Sequence, residues 1–62
     1  MTTGEKLKKI CAERRMTQRE LAEMAFVHRR TIGYIICNRR RPQELTLCNI
    51  AKALGVEVQD LL

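Results

Sequence analysis

The chain has 62 residues, 45% of them hydrophobic, and a formal net charge of +5. This length allows one domain over residues 1–62 with a small core and little room for an enclosed active site, and the apolar content is typical of a folded chain rather than a disordered one. No apolar run approaches the ~20 residues of a membrane span, and lysines follow the start without a signal-peptide pattern, so we expect a cytoplasmic protein.

The first half of the chain predicts two short helices. Apolar spacing favours helices throughout and no strand, so the expected fold class is all-α, a compact bundle of about five short helices. The first helix is predicted over residues 3–15. Its apolar face is formed by Leu7, Ile10 and Cys11. Thr2 and Glu5 have the spacing of a capping box at its start.

The second helix is predicted over residues 17–25, with Thr17 as its N-cap and Glu20 three residues later. The third helix is predicted over residues 29–37. Three isoleucines with helical spacing must face the core: Ile32, Ile35 and Ile36. By helical geometry the opposite, outer side then carries a basic and otherwise small set of residues. These are Arg29, Arg30, Gly33 and Tyr34.

The rest of the chain predicts a loop, a fourth helix and a short closing helix. The loop covers residues 38–43 and contains Pro42, which favours non-helical backbone. The fourth helix is predicted over residues 44–54, and Gly55 suits its C-terminal cap. A fifth short helix is expected near the C-terminus. Its predicted inward-facing residues are Val58, Leu61 and Leu62.

The positive charge is concentrated in one span. Residues 24–43 contain five arginines and no acid, whereas the remaining basic residues equal the acids in number. One interpretation is a solvated arginine-rich loop. The other is a surface that binds a polyanion, because a single-sign field on an otherwise neutral small domain attracts one.

Catalytic, cofactor and metal sites are not expected. The three cysteines are widely spaced, with no C-x-x-C pair, so we expect free thiols rather than a zinc site or disulfide framework. His28 is the only histidine, and it has no carboxylate within one helical turn. We therefore expect His28 to serve as a helix cap or as a phosphate contact, and we expect the protein not to be an enzyme.

Several segments together resemble a known family. They are TQRELAE at 17–23, Val27, TI at 31–32, Ile35, R-x-P at 40–42 and TL..IAKALGV at 46–56. In this order and spacing the chain resembles the phage-repressor and Cro-like helix-turn-helix family (XRE type). The resemblance covers nearly the whole chain without gaps. It implies a lambda-repressor-like DNA-binding domain whose third helix enters the major groove.

The resemblance also implies which residues contact DNA. Residues 29–37 would be the recognition helix, with base contacts from Arg29, Arg30 and Tyr34. Phosphate contacts would come from the start of the second helix, the turn and the loop, namely Thr17, Gln18, His28, Asn38, Arg39, Arg40 and Arg41. The residue chemistry agrees, since arginine matches the major-groove edge of guanine and basic loops neutralise phosphates. Tyr34 could instead be a partly exposed packing residue.

Two functions are consistent with these residues. The first is sequence-specific binding of double-stranded DNA by a transcriptional regulator, repressor-like and acting as a homodimer, because one recognition helix reads only a few base pairs. The alternative is a protein-interaction module of an antitoxin or a phage regulatory switch, with a protein partner. A steep loss of duplex binding with increasing salt would distinguish the first from the second.

The sequence departs from the family at helix ends. Arg15, Phe26 and Asn38 stand where a glycine usually provides a left-handed backbone, and we expect the Phe26 ring to fold over the core instead. The third, fourth and fifth helices begin after residues that are weaker caps than serine or threonine. These residues are His28, Gln43 and Glu57.

Overall fold

The chain folds into four α-helices and one short 3-10 helix, with no strand, in a computed structural model that describes residues 1–62. In chain order the helices are α1 (Thr3–Glu13), α2 (Gln18–Ala25), α3 (Arg29–Ile36), α4 (Glu44–Leu54) and the 3-10 helix (Val58–Leu61). The all-α prediction is confirmed, although the fifth element is a single 3-10 turn rather than an α-helix. None of the helices combines the length and the apolar character needed to cross a bilayer.

One core joins all five elements. The α2 helix packs against both α3 and α4, while α1 packs against α3 and the 3-10 helix. Six large side chains are completely enclosed: Leu7, Leu21, Ile32, Ile35, Ile50 and Leu61. Ile36 is half-buried and packs against this core, so the predicted inner side of α3 is confirmed. Two enclosed isoleucines on so short a helix fix which side of α3 faces solvent.

Capping boxes begin the first two helices, as predicted. The Glu5 N–H donates to Thr2 Oγ1 at 3.1 Å, and the Glu20 N–H donates to Thr17 Oγ1 at 3.0 Å. Each glutamate accepts a hydrogen bond from the backbone N–H of its threonine in return. These hydrogen bonds favour the carboxylate form and lower the pKa of both glutamates below the usual value of 4.5.

Acid should weaken the fold through these two glutamates. A carboxyl group whose folded-state pKa is lowered stabilises the fold above its unfolded pKa, and this stabilisation is lost as pH falls through the folded pKa. The double variant Glu5→Gln, Glu20→Gln should therefore melt at a lower temperature than the wild type at neutral pH. This difference should shrink as pH falls below about 4.5. Thermal melts across this pH range measure the effect. Glu13→Gln is the control, because it removes a charge outside the capping boxes. A difference in melting temperature that did not change with pH would refute the prediction.

Three non-glycine residues adopt the left-handed backbone that their positions predict. The φ angles are 52° at Arg15, 58° at Phe26 and 59° at Asn38. The expectation that Phe26 folds over the core is wrong, because its side chain is 91% exposed. The chain turns at Phe26, and the half-buried Val27 packs against the core instead, with its N–H donating to the Ala22 carbonyl at 3.0 Å.

The C-terminal turn buries only part of the predicted apolar set. Leu61 is fully buried and Val58 is half-buried, but Leu62 is 65% exposed, so its predicted inward orientation is wrong. A 3-10 helix has three residues per turn, which places Val58 and Leu61 on the same side and directs the next residue elsewhere. Leu62 is thus left on the surface.

Gly4 allows the start of α1 to lie directly against the end of α3. A Cβ at this position would collide with the Ile35 carbonyl oxygen, and would lie 2.9 Å from the Ile36 carbonyl oxygen and 2.6 Å from Asn38 Oδ1. Two of these three atoms are backbone, which cannot rotate away as a side chain can. Gly4 therefore fixes how closely α1 approaches the loop that follows α3.

Candidate nucleic-acid interface

The outer side of α3 carries a compact basic surface. Arg29 and Arg30 are exposed at its start, Gly33 and Tyr34 are half-buried one turn later, and Cys37 is exposed at its C-cap. The enclosed isoleucines lie on the opposite side of the helix. The structure thus places all three residues that were predicted to reach bases on the side of α3 that faces away from the core.

His28 caps the start of α3. Its Nδ1 accepts a hydrogen bond from the Arg30 N–H at 3.0 Å, and its backbone is extended, as at an N-cap. A ring nitrogen that accepts a hydrogen bond carries no proton, so in neutral histidine the proton is on Nε2. His28 is exposed, which leaves Nε2–H available to an external acceptor. The cap role that we expected of His28 is confirmed by this bond.

The start of α2 faces the same surface. A Cβ added at Gly33 would lie 3.6 Å from Gln18 Oε1, so the Gln18 side chain reaches the middle of α3. The capping box uses the N–H groups of Thr17 and Glu20, and the first turn of a helix leaves further N–H groups unpaired. Such groups attract an anion. The Glu20 carboxylate at the same terminus opposes this attraction.

The loop after α3 is tied to that helix by backbone and side-chain contacts. The Arg39 N–H donates to the Tyr34 carbonyl at 2.9 Å, and the Asn38 N–H donates to the Ile35 carbonyl at 3.0 Å. The Arg40 guanidinium carbon lies 5.3 Å from the centroid of the Tyr34 ring, a cation–π arrangement. Tyr34 therefore positions a loop arginine beside α3, a role that we did not foresee for it.

The arginines of residues 24–43 are all exposed and have no carboxylate partner. The one ion pair between side chains joins Arg19 Nε to Glu23 Oε1 at 3.5 Å within α2, and it involves none of these arginines. All five side chains are solvent-exposed: Arg29, Arg30, Arg39, Arg40 and Arg41. A cluster of unneutralised guanidinium groups on one region creates a positive field that attracts polyanions.

Nine of the ten predicted site residues border one of two depressions, and Thr17 borders neither. One, of about 440 Å³, is lined by Gln18, His28, Arg29, Arg30, Gly33, Tyr34, Cys37 and Arg39. The other borders the start of α1 and includes Asn38, Arg40 and Arg41. The second group lies beside α1 because Gly4 draws the two segments together, and sequence spacing alone gave no signal of it.

The thiols are free, and Cys11 is buried while Cys37 and Cys48 are exposed. Burial raises the pKa of the Cys11 thiol, although the Arg14 charge lowers it in part. A buried thiol with a raised pKa is unreactive at neutral pH. No group of three or more histidine, cysteine, aspartate or glutamate side chains has an arrangement that could hold a metal ion.

Comparison with known proteins gives consistent matches. The model of the helix-turn-helix family matches residues 7–61. The immunity repressor protein of Bacillus phage phi105 is 39% identical over 62 residues, which is all of this chain and 43% of that protein. The chain therefore spans less than half the length of this relative.

A solved structure has a similar fold. The crystal structure of the restriction-modification controller protein C.AhdI from Aeromonas hydrophila matches with a TM-score of 0.92. The match covers 97% of this chain and 91% of that one, at 22% sequence identity. At this identity the likeness shows a shared arrangement of helices, in which the orientation of α3 is part of the common fold.

Proposed function

The chain belongs to the helix-turn-helix family, as its sequence predicted, and on that premise we propose that it is a DNA-binding regulator of transcription. It binds double-stranded DNA sequence-specifically, with α3 in the major groove. Arg29, Arg30 and Tyr34 contact base edges. The phosphate contacts come from Thr17, Gln18, His28, Asn38, Arg39, Arg40 and Arg41. The proposed role is one of binding rather than catalysis, in the cytoplasm.

One observation carries this proposal: the exposed arginines of α3 and its loop have no carboxylate partner, on a helix whose other side is enclosed in the core. Arginine presents paired donors to the O6 and N7 acceptors of guanine. A helix about 10–12 Å across matches the width of the major groove. The similar phage protein is an immunity repressor, which supports a regulatory role here.

Titration with duplex DNA at several salt concentrations tests the proposal. A binder that neutralises phosphates releases counterions, so the logarithm of its affinity should fall linearly with the logarithm of salt concentration, by about 0.9 per phosphate contacted. A single-stranded oligonucleotide and a random duplex are the controls. Absence of any duplex complex at low salt would refute DNA binding.

A homodimer is the second part of the proposal. One α3 helix reads few base pairs, and two copies about one DNA turn apart would give a useful site. At the C-terminus Leu61 is enclosed and Leu62 is 65% exposed, so Leu62 is a residue of this segment that a second chain can contact. Analytical ultracentrifugation with and without duplex should show two protein chains per DNA site. A complex with one chain per site at saturation would contradict the homodimer.

Arg40→Ala should weaken binding to the preferred duplex and to random duplex by a similar factor. Arg40 lies in the exposed loop after α3 rather than on the helix that enters the groove, which is why we assign it to phosphate, and its guanidinium lies beside the Tyr34 ring. The salt dependence should also fall by about one phosphate contact. Parallel titrations of both duplexes measure this, with Lys52→Ala on α4 as the charge-matched control. A loss restricted to the preferred duplex would show that Arg40 reads a base.

A protein partner is the second candidate function. It is favoured by two exposed apolar side chains at the end of α2, Met24 at 47% and Phe26 at 91% exposure. Neither carries charge, and exposed apolar side chains that form a contiguous patch mark a site of protein contact. A chain that bound no duplex at any salt would favour this candidate over the first.

A further inference from the structure

Gly33 is the one glycine that the fold does not require. Gly4 is needed because a side chain would collide with the backbone of α3, and Gly55 ends α4 in the left-handed conformation, with φ of 68°. Gly33 has neither reason. Its φ is not positive, and a Cβ there would meet only Gln18 Oε1, at the ordinary contact distance of 3.6 Å. A glycine inside a helix nonetheless destabilises it relative to alanine.

The position of Gly33 places the missing side chain on the outer face of α3. Arg29 lies one turn before it and Cys37 one turn after it, and both are exposed. Together with Gln18 and Gly33 itself, these residues line the depression described above. In the proposed complex this depression, called the notch below, lies on the surface of α3 that faces the major groove.

The hydrogen-bonding groups at the notch determine which part of a base pair can bind there. Gly33 has no side chain to donate or accept a hydrogen bond, and its carbonyl already accepts from the Cys37 N–H at 3.0 Å. A group seated directly on Gly33 therefore makes contact by shape, at van der Waals distance, whereas the hydrogen-bonding groups of Gln18 and the arginines stand around it. Among the groups on the major-groove edges of the four base pairs, the 5-methyl group of thymine is the apolar one, and it also projects into the groove.

We propose that the notch at Gly33 receives the 5-methyl group of a thymine, an inference that rests on the DNA-binding function proposed above. Arg29 and Gly33 are four residues apart, which separates them by about 6 Å along α3. The thymine therefore lies about two base pairs from the base pair read by Arg29. Gly33 is a specificity-determining residue through the absence of a side chain.

The test uses the full chain and a duplex selected from a random-sequence pool. Each thymine is replaced in turn by deoxyuridine, which lacks only the methyl group. At one position per half-site the replacement should weaken binding about fourfold, the effect of one buried methyl group. Gly33→Ala should bind the thymine duplex more weakly and abolish this dependence, while its melting temperature stays at or above that of the wild type. Gln59→Ala, on the exposed side of the 3-10 helix, is the control.

The outcomes separate this inference from the function on which it rests. Wild-type protein that binds duplex but shows no loss at any deoxyuridine overturns the inference and leaves DNA binding intact. A Gly33→Ala variant that binds thymine and deoxyuridine duplexes with an equal loss, while retaining their ratio, also overturns it and indicates close approach to the sugar-phosphate backbone. Absence of any duplex binding by the wild type overturns both.

Discussion

Arg30→Ala is expected to lower affinity for the preferred duplex by about 5- to 150-fold, or ~1–3 kcal/mol, and to relax the preference at one base pair. The side chain is exposed on the outer face of α3 and has no carboxylate partner, so its removal costs the fold little. The His28 cap bonds to the Arg30 backbone N–H, which alanine retains. Titration of the preferred duplex and of single-base variants measures both effects.

A matched control separates base reading from general electrostatics. Lys8→Ala removes one positive charge from an exposed position of α1, outside residues 24–43. It should lower affinity slightly and leave the base preference unchanged, since exposed charges act over a Debye length that salt shortens. If Arg30→Ala weakened all duplexes equally, Arg30 would be a phosphate contact rather than a base contact.

Gly4→Ala should lower the free energy of unfolding by about 1–3 kcal/mol, the range for inserting a methyl group where no space exists. The added Cβ would meet the Ile35 and Ile36 carbonyl oxygens and Asn38. For a domain of 62 residues this is a large share of the total stability. Urea denaturation measures it.

Gly33→Ala is the comparison for this change. Both substitutions add one methyl group to a glycine within a helix, but only the one at Gly4 creates a collision. The Gly33 variant should be as stable as the wild type or more stable, by up to ~1 kcal/mol. Equal stability of the two variants would show that the start of α1 can move away from α3, against the close packing described here.

Local patterns predicted most of the fold. Capping boxes, isoleucine spacing and Gly55 act within four residues, so the sequence contains both partners of each interaction. The bounds of α4 were as predicted, whereas α2 begins one residue after its predicted start, α3 ends one residue before its predicted end, and α1 ends two residues before its predicted end. The left-handed positions were also predictable, because the resemblance indicates where helices must end. The orientation of Leu62 was missed because its period was taken from an α-helix rather than a 3-10 turn.

Long-range contacts could not be predicted in the same way. Gly4 meets residues more than thirty positions later, and Arg14 Nη1 donates to the Leu54 carbonyl across 40 positions. The Tyr34–Arg40 arrangement depends on how the loop turns back, which the three adjacent arginines do not indicate by spacing. The exposure of Phe26 depends on where its own left-handed backbone points the side chain. Such contacts arise from packing rather than from local propensity.

The surface that contacts DNA can be mapped most directly by NMR. The chemical shifts of the backbone amides are followed in solution while a selected duplex is added. We expect the largest changes at Gln18, at residues 28–37 and at residues 38–41, with the outer side of α4 unchanged apart from any dimer contact. Signals that move mainly on α1 or α4, with α3 unaffected, would contradict the assignment of α3 as the helix that binds DNA.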